Sequence, residues 1–344
     1  PIDLAMEDMF GKAPRTVMTD RTVEETYEDV TYDQTQLDEY VERVLQLEAV
    51  ACKDWLTNKV DRSVTGKIAR QQCQGEIQLP LSDCGVVALD YRGRAGIATS
   101  IGHAPQAALV DPAAGSVLSI AEALTNIVWA PLSEGLDSVS LSANWMWPCK
   151  NEGEDARLYR AVEACSDFAC SLGINIPTGK DSLSMTQKYG KDKVYSPGTV
   201  IISAGAEVSD IRKVVSPVLR TGIDSTVYYI DFSFDKLKLG GSAFAQSLDK
   251  IGKEGPPLRR TPSAHTQRRS RLSILHRSFA RRMVRVVLSA RPQTKRRKSS
   301  QRPLPQLQGT TAAIPFPRFV HGNARPIRYL GRSSHTIRCE SSHH

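Results

Sequence analysis

Residues 84–129 read CGVVALDYRGRAGIATSIGHAPQAALVDPAAGSVLSIAEALTNIVW, and they are the clearest indication of the fold class. Three short apolar runs, Cys84 to Leu89, Gly96 to Ile101 and Ala107 to Val110, have the length and composition of strands. From Val117 to Trp129 the apolar residues recur at helical spacing, which predicts a helix. Strands followed by a helix of this length indicate a mixed α/β domain.

The same alternation continues on both sides of this stretch. Periodicity predicts two further helices, Thr35 to Leu47 and Asp155 to Leu172. Further strands are predicted at Val139 to Ser142, Thr199 to Ala206 and Thr226 to Phe232. The polar segment from Asp61 to Gly75 shows little periodicity, which predicts a loop, and the polar stretch from Ser209 to Asp224 suits a domain junction.

The charge of the chain changes abruptly near Gly255. Residues 255–344 contain 20 Lys or Arg residues, 18 of them Arg, and one acid, Glu340. Residues 1–254 contain 25 basic and 36 acidic residues, so the overall net charge of +8 combines a negative first part with a strongly positive tail. A tail rich in Arg, Ser and Pro buries too little apolar surface to offset its ordering entropy. We therefore expect the tail, residues 253–344, to be disordered.

Two further hypotheses concern the origin and role of this tail. Clustered arginines neutralise phosphates, which would make the tail a nucleic-acid-binding arm, although it has no RGG-type repeats and few interleaved aromatic residues. A change of reading frame near Lys253 to Gly255 would instead make it an out-of-frame translation. We favour the frame change because the boundary is abrupt.

Cysteine and histidine usage argues against two kinds of site. The seven cysteines form no CxxC pair and none has a histidine at zinc spacing, so we expect reduced thiols. His103 is the only histidine before residue 255, which disfavours Cys/His nucleophilic catalysis. The opening residues show no signal peptide, and no apolar run approaches the roughly 20 residues of a bilayer span. We expect a cytoplasmic protein with no membrane partner.

Three oxygen-bearing side chains form a candidate metal site. Glu122 and Asn126 are four residues apart on the predicted helix, so they share one face. Asp83 directly precedes an apolar strand and adds a third oxygen, in a combination that suits Mg²⁺ held against nucleotide phosphates. On spacing alone, an ordinary helix acid and a surface amide remain the simpler alternative.

Basic and hydroxyl side chains form candidate phosphate contacts. The segment TGKDSLSM, from Thr178 to Met185, places Lys180 among Gly, Asp and Ser residues, although it lacks the GxxxxGK[ST] spacing of a Walker A loop. A solvated turn explains this composition equally well. The other candidates are basic residues that are either phosphate contacts or solvated charges: Lys53, Arg62, Lys67 and Arg70.

Seven motifs stand in order along the chain: DRSVTGKIARQQCQG (61–75), LSDCGV (81–86), IGHAP (101–105), EALTNI (122–127), LSANWMW (141–147), GEDARLY (153–159) and PTGKDSLSM (177–185). In amino-acid sequence and in order, these motifs resemble the phosphoribosylformylglycinamidine synthase family in its large, single-chain form. The resemblance extends from Pro1 to about Gly252. It disfavours the sister enzyme aminoimidazole ribonucleotide synthetase, which is an alternative of the same fold superfamily.

The resemblance implies a domain organisation. The family's synthetase region is a pair of repeats, each an aminoimidazole ribonucleotide synthetase-like α/β domain with a companion α/β domain. Residues 1–31 would then end the first repeat, residues 32–208 would form the first domain of the second repeat, and residues 209–252 would begin its truncated companion. The tail at 253–344 follows.

The resemblance also implies a site and a reaction. Asp83, Glu122 and Asn126 match the family's Mg²⁺ ligands and Ser82 matches a nucleotide contact, while Lys53 and Lys180 are our further candidates for holding ATP or ADP. The family converts formylglycinamide ribonucleotide to its amidine in purine biosynthesis: ATP phosphorylates the amide oxygen and glutamine-derived ammonia displaces phosphate. The catalytic first repeat and the glutaminase domain are expected outside this chain, which alone would be inactive.

The reading-frame hypothesis predicts the content of the encoding DNA. In the family, a further Mg²⁺ aspartate and a serine lie in an HDxSxGGL-like motif some tens of residues beyond Gly252, and this sequence has no such motif. Resequencing codons 245–260 and translating all three frames downstream should recover the motif within a chain of balanced charge. Three frames without it would establish the basic tail as a genuine product.

Overall fold

The computed structural model describes residues 3–11, 17–53, 55, 66–218, 225–228, 238–255, 326–329 and 339–340. Arg62 and most of the basic tail therefore lie outside the described residues. The described helices are α1 (Met6–Phe10), α2 (Leu37–Gln46), α3 (Pro105–Val110), α4 (Pro112–Ile127), α5 (Glu154–Leu172) and α6 (Ala243–Ser247). None of them combines the length and the apolar character that a bilayer crossing requires.

The strands belong to one large sheet and three small ones. They are β1 (Ile68–Arg70), β2 (Cys73–Gln74), β3 (Leu79–Pro80), β4 (Cys84–Ala88), β5 (Gly96–His103), β6 (Ser140–Met146), β7 (Asn175–Ser182), β8 (Thr186–Tyr189), β9 (Asp192–Tyr195), β10 (Thr199–Val208), β11 (Ser225–Tyr228), β12 (Pro326–Tyr329) and β13 (Cys339–Glu340). The large sheet has the order β1-β4-β5-β10-β6-β7. Its pairs are antiparallel except β6–β7, which is parallel, so the fold is a mixed α/β architecture as predicted.

The core lies between the large sheet and the helices α4 and α5. Along β5 the side chains alternate between buried and exposed, because successive residues of a strand face opposite sides. Ala98 and Ser100 face the helices, whereas Ile97 and Ile101 are 42% and 56% exposed on the other side. Helix α4 contributes Ile120, Ala123 and Ile127 to the same buried cluster. One face of the sheet is thus packed and the other is open.

The contact between α4 and β5 is unusually close at Gly102. A Cβ atom at this position would lie 2.1 Å from the carbonyl oxygen of Ser119 and 2.4 Å from the backbone nitrogen of Ala123. No larger residue fits without moving the helix, since such separations are far inside van der Waals contact. The glycine therefore sets how near α4 lies to the end of β5.

The ends of the two long helices follow from local sequence. At the start of α4, the Asp111 carboxylate accepts a hydrogen bond from the backbone N–H of Ala113 at 3.0 Å, and Pro112 occupies the first turn. Helix α5 ends at Gly173, whose φ of 71° is the left-handed conformation that glycine adopts readily. The predicted helix from Asp155 to Leu172 is confirmed to within one residue.

The start of α5 is capped by a distant segment. We call residues 17–32 the N-terminal arm. Gly153 precedes the helix and has no side chain to cap it, and the arm supplies Asp20 instead. The Asp20 carboxylate accepts from the backbone N–H groups of Gly153, Asp155 and Ala156 at 3.3, 3.0 and 3.3 Å. Arg21 of the arm also pairs with Glu152. The arm and α5 thus form one structural unit.

The segment 238–255 packs back onto the domain. The Phe244 ring makes edge contacts with Tyr40 of α2 and Tyr32, with centroid separations of 5.1 and 6.2 Å. Gly241 has a φ of 67° and lies against the backbone of Gln106 and Ala107 in α3. The division of the chain at residues 31, 208 and 252 remains a prediction.

Two local predictions are wrong. The run Ala107 to Val110 is not a strand but the second half of α3, because Pro105 opens a helical turn directly after β5. The segment Asp61 to Gly75, predicted to be a loop, contains β1 and β2 in its described part. The helix predicted from Val117 begins earlier, at Pro112. Of the strand predicted from Thr226 to Phe232, residues 229–232 lie outside the described ranges.

The close approach at Gly102 predicts that Gly102→Ala destabilises the domain by about 1–3 kcal/mol, because the added methyl group must push α4 from the sheet. Gly205→Ala is the matched control, since Gly205 lies on the neighbouring strand and nothing lies within 4 Å of its would-be Cβ. Urea unfolding measures both. Equal stability of the two variants would contradict the proposed constraint.

The capping of α5 by Asp20 predicts that Asp20→Ala lowers the melting temperature at neutral pH. Backbone N–H groups, with that of Arg21 first, hold the pKa of Asp20 below its usual range. A depressed carboxyl pKa stabilises the fold above the ordinary aspartate value of about 3.9, and that contribution is lost as pH falls through the folded-state pKa. The variant and the parent should therefore converge in strongly acidic solution.

Asp29→Ala serves as the control for the cap, because Asp29 is an exposed aspartate of the same arm. Thermal melts from pH 7 down to strongly acidic solution, below the folded-state pKa of Asp20, decide the matter. If Asp29→Ala lowered the melting temperature as much as Asp20→Ala at pH 7, the effect would come from arm charge and not from helix capping.

Candidate functional site

Two of the three predicted metal ligands meet the end of β5. The backbone N–H of His103 donates a hydrogen bond to Glu122 Oε2 at 2.7 Å. One turn further along α4, Asn126 Nδ2 donates to the carbonyl oxygen of Ile101 at 3.0 Å. The shared helix face predicted from their spacing is therefore turned toward the carboxyl end of this strand.

The bond to Ile101 fixes which way the Asn126 amide faces. A carbonyl oxygen only accepts, so the amide must turn its nitrogen toward Ile101. Its Oδ1 is left as an acceptor on the other side of the group. The carboxylate of Glu122 is held by one oxygen in the same way, and its side chain retains 22% exposure. Both residues thus keep oxygen atoms available to a ligand.

Asp83 and Ser82 lie at the same level of the sheet. Cys84 pairs with Ser100 in the antiparallel register of β4 and β5, so Asp83, one residue earlier, stands across from Ile101. Ser82 is held by two hydrogen bonds. Its backbone N–H donates to Gln72 O at 3.0 Å, and its Oγ donates to Cys84 O at 3.1 Å. The register therefore places Ser82 and Asp83 beside the end of β5 that Glu122 and Asn126 contact, with Asp83 on the same open face of the sheet as Ile101.

This junction offers oxygen ligands and no reactive thiol. Burial raises the pKa of the Cys84 thiol to about 12, so the sulfur next to Asp83 is protonated near neutral pH. Within the described ranges, no group of three or more His, Cys, Asp and Glu side chains is arranged to hold a metal ion. The predicted set consists of two carboxylates and one amide, which are donors for a hard cation such as Mg²⁺.

Lys180 lies in a second polar group, on the open face of the sheet. The register places His103, Ile201, Asn144 and Lys180 in one row across β5, β10, β6 and β7. Directly paired residues share a face. Lys180 Nζ donates to Ser182 Oγ at 2.5 Å, and the buried Oδ1 of Asn144 has no hydrogen-bond partner in the described part of the chain.

Asn144 was missed by the sequence-based prediction. It lies in the motif LSANWMW, where it alternates with the buried residues Leu141 and Ala143. That alternation was enough to place it on the opposite face from the core. Its pairing with Lys180 depends on the parallel β6–β7 register, which the residue pattern alone does not supply.

The ammonium group of Lys53 is bonded to backbone carbonyls close to it in sequence. Its Nζ donates to Glu48 O and, at 3.1 Å, to Ala51 O, both just after α2. Lys180 is separated from β5 by three strand spacings, which is about 14 Å. A single ion bound by Glu122 and Asn126 therefore does not also contact Lys180.

Comparison with known proteins connects this domain to one enzyme family. A family model described as the FGAR-AT PurM_N-like domain matches residues 52–207. Phosphoribosylformylglycinamidine synthase of Drosophila melanogaster is 40% identical over 265 residues, which is 76% of this chain and 19% of that protein. The human enzyme of the same name is 40% identical over 260 residues, which is 75% of this chain and 19% of that protein.

The chain thus spans about one fifth of the length of these relatives. Among solved structures, PurLQS from Thermotoga maritima matches with a TM-score of 0.45 and 15% identity, over 74% of this chain and 37% of that one.

Proposed function

We propose that this chain forms a nucleotide- and Mg²⁺-binding part of an ATP-dependent ligase of the phosphoribosylformylglycinamidine synthase family. The match to the FGAR-AT PurM_N-like domain and the two synthase relatives support this proposal. The ligase would convert formylglycinamide ribonucleotide to its amidine in purine biosynthesis, with ammonia from glutamine. A cytoplasmic location belongs to the same proposal. The synthase name of both relatives favours this ligase over the sister synthetase.

The observation that carries the proposal is the pair of bonds from α4 to the end of β5. Glu122 and Asn126 are each fixed by one polar atom to the strand backbone and each keeps an oxygen for a ligand. Asp83 directly precedes β4, across from Ile101 in the extended register. Two carboxylates and an amide match the oxygen preference of Mg²⁺, which would neutralise phosphate charge when bound.

The nucleotide contacts are assigned by position. We propose that Ser82, next to Asp83, contacts ATP or ADP beside the metal ligands. Lys180 and Asn144, whose Oδ1 has no partner among the described residues, form a separate polar row on the open face, which suits a sugar or phosphate at some distance from the ion. Lys53 would have to exchange its bonds to Glu48 O and Ala51 O for a phosphate.

The proposed part of this chain in the reaction is binding and not bond making. In the complete reaction the amide oxygen of the substrate attacks the γ-phosphorus of ATP and ADP leaves. Ammonia then adds to the activated carbon, and the phosphate departs with the former amide oxygen. The described residues supply hydrogen bonds and charge, which position a nucleotide and stabilise its phosphates.

Glu122→Gln tests the metal site. A glutamine oxygen still accepts from the His103 N–H, so the fold is retained while the charge that attracts Mg²⁺ is removed. We expect the affinity for ADP in the presence of Mg²⁺ to fall at least about tenfold, and the metal-free affinity to stay unchanged. Isothermal titration calorimetry with and without Mg²⁺ separates the two.

Glu163→Gln is the matched control, because it makes the same chemical change at an exposed position of α5. If the parent chain bound no ADP with Mg²⁺, the proposed function would fail outright. If Glu122→Gln weakened ADP equally with and without Mg²⁺, the site would bind nucleotide without the predicted ion.

A further inference from the structure

Arg70 ends the edge strand β1 and holds three segments together. One terminal nitrogen, Nη1, donates to Gln74 Oε1 at 2.8 Å, and the other, Nη2, donates to the carbonyl oxygen of Val214 at 3.0 Å. Its Nε is buried and has no hydrogen-bond partner among the described residues. An arginine has five N–H donors, so three of them have no partner in the part of the chain that the structure describes.

The charge of Arg70 is also uncompensated. Both of its partners are neutral oxygens, and no carboxylate in the described part of the chain lies within ion-pair distance of the guanidinium. Burial lowers the pKa of Arg70, which reflects the loss of water around the charge. Arg70 is half-buried, so its charge is partly removed from water without the carboxylate partner that such charges normally have.

Arg70 lines a cleft of about 250 Å³ beside the β2–β3 turn. The lining combines the guanidinium with polar groups of the turn, including Gln71, Gln74 and Gln78. Gly75 and Gln78 have φ values of 76° and 53°, the left-handed conformation that lets the chain reverse between β2 and β3. The cleft is large enough for a small anion, and it is lined by Arg70, whose charge has no carboxylate partner among the described residues.

We propose that the cleft at Arg70 is a binding site for a phosphate group. The unused guanidinium donors would bind its oxygens in the paired geometry that arginine favours, and the anion would supply the missing countercharge. The choice of phosphate over carboxylate rests on the proposed function, whereas the existence of an anion site does not.

Two sources of the phosphate group are compatible with the position of the cleft. The Ser82 N–H donates to Gln72 O, so the cleft adjoins the proposed nucleotide contact. The group would belong either to that nucleotide or to a separate phosphate compound. Titrating inorganic phosphate in the presence and absence of saturating ADP with Mg²⁺ distinguishes them, since only a nucleotide phosphate in the cleft would compete.

The first test compares phosphate binding by the parent chain and by Arg70→Met, at constant ionic strength with chloride as the balancing ion. We expect saturable binding to the parent and about tenfold or greater weakening in the variant. Arg212→Met is the control, because Arg212 is already paired with Asp210 at 2.8 Å. An absence of phosphate binding to the parent, or equal binding by Arg70→Met, would overturn the proposal.

If Arg70→Met does not fold, Gln71→Glu provides a second test of phosphate binding in the cleft. It places a carboxylate in the cleft, which should raise the melting temperature without phosphate and remove the further rise that phosphate causes in the parent. Gln72→Glu is the matched control, because Gln72 is its neighbour but does not line the cleft. If both variants responded to phosphate like the parent, the cleft would not be the site.

These outcomes are separable from those for the nucleotide. Phosphate binding that depends on Arg70 in a chain that binds no ADP would leave the inference standing while the proposed function failed. ADP binding that depends on Glu122, in a chain that binds no phosphate at Arg70, would give the opposite result.

Discussion

The rest of the domain depends on the near contact between α4 and β5 at Gly102. Helix and strand backbones meet there with no room for a side chain, and the helix is thereby pressed onto the carboxyl end of the strand. Only at that distance do Glu122 and Asn126 reach the backbone of His103 and Ile101. The absence of a side chain at Gly102 thus serves both the core and the candidate site. The close approach of α4 that buries Ile120 and Ala123 also brings the polar atoms of Glu122 and Asn126 to the end of β5.

Much of the fold follows from local pattern, and the exceptions have physical causes. The long helix α5 was predicted to within one residue, because the burial of one helix face requires apolar residues at a regular helical spacing. The run Ala107 to Val110 is apolar in any conformation, so its composition did not distinguish a strand from the end of a short buried helix. Strand β1 was missed because it is a three-residue edge strand paired on one side only, with little need for alternating apolar residues.

The candidate site was predictable in its residue types but not in its geometry. Helical spacing alone placed Glu122 and Asn126 on one face, and the neighbouring strand determined what that face meets. Their hydrogen bonds join residues that are 19 and 25 positions apart in the sequence. Over such distances the pattern of apolar and polar residues does not show which residues lie opposite each other. The same limit explains why Asn144 and Lys180 were not recognised as neighbours, and why the unpaired charge of Arg70 emerged only from the structure.

The cap that Asp20 provides for α5 has a consequence for the order of folding. The Asp20 cap closes a loop of more than 130 residues. The loss of chain entropy on closing such a loop costs about 4 kcal/mol, which the contacts of the arm must offset. Neighbouring elements such as β4, β5 and α4 close much shorter loops and are expected to assemble first. The arm, although synthesised earlier than the helix, is therefore placed late. Until then the first amides of α5 are satisfied by water, and their hydrogen exchange reports whether the arm has docked.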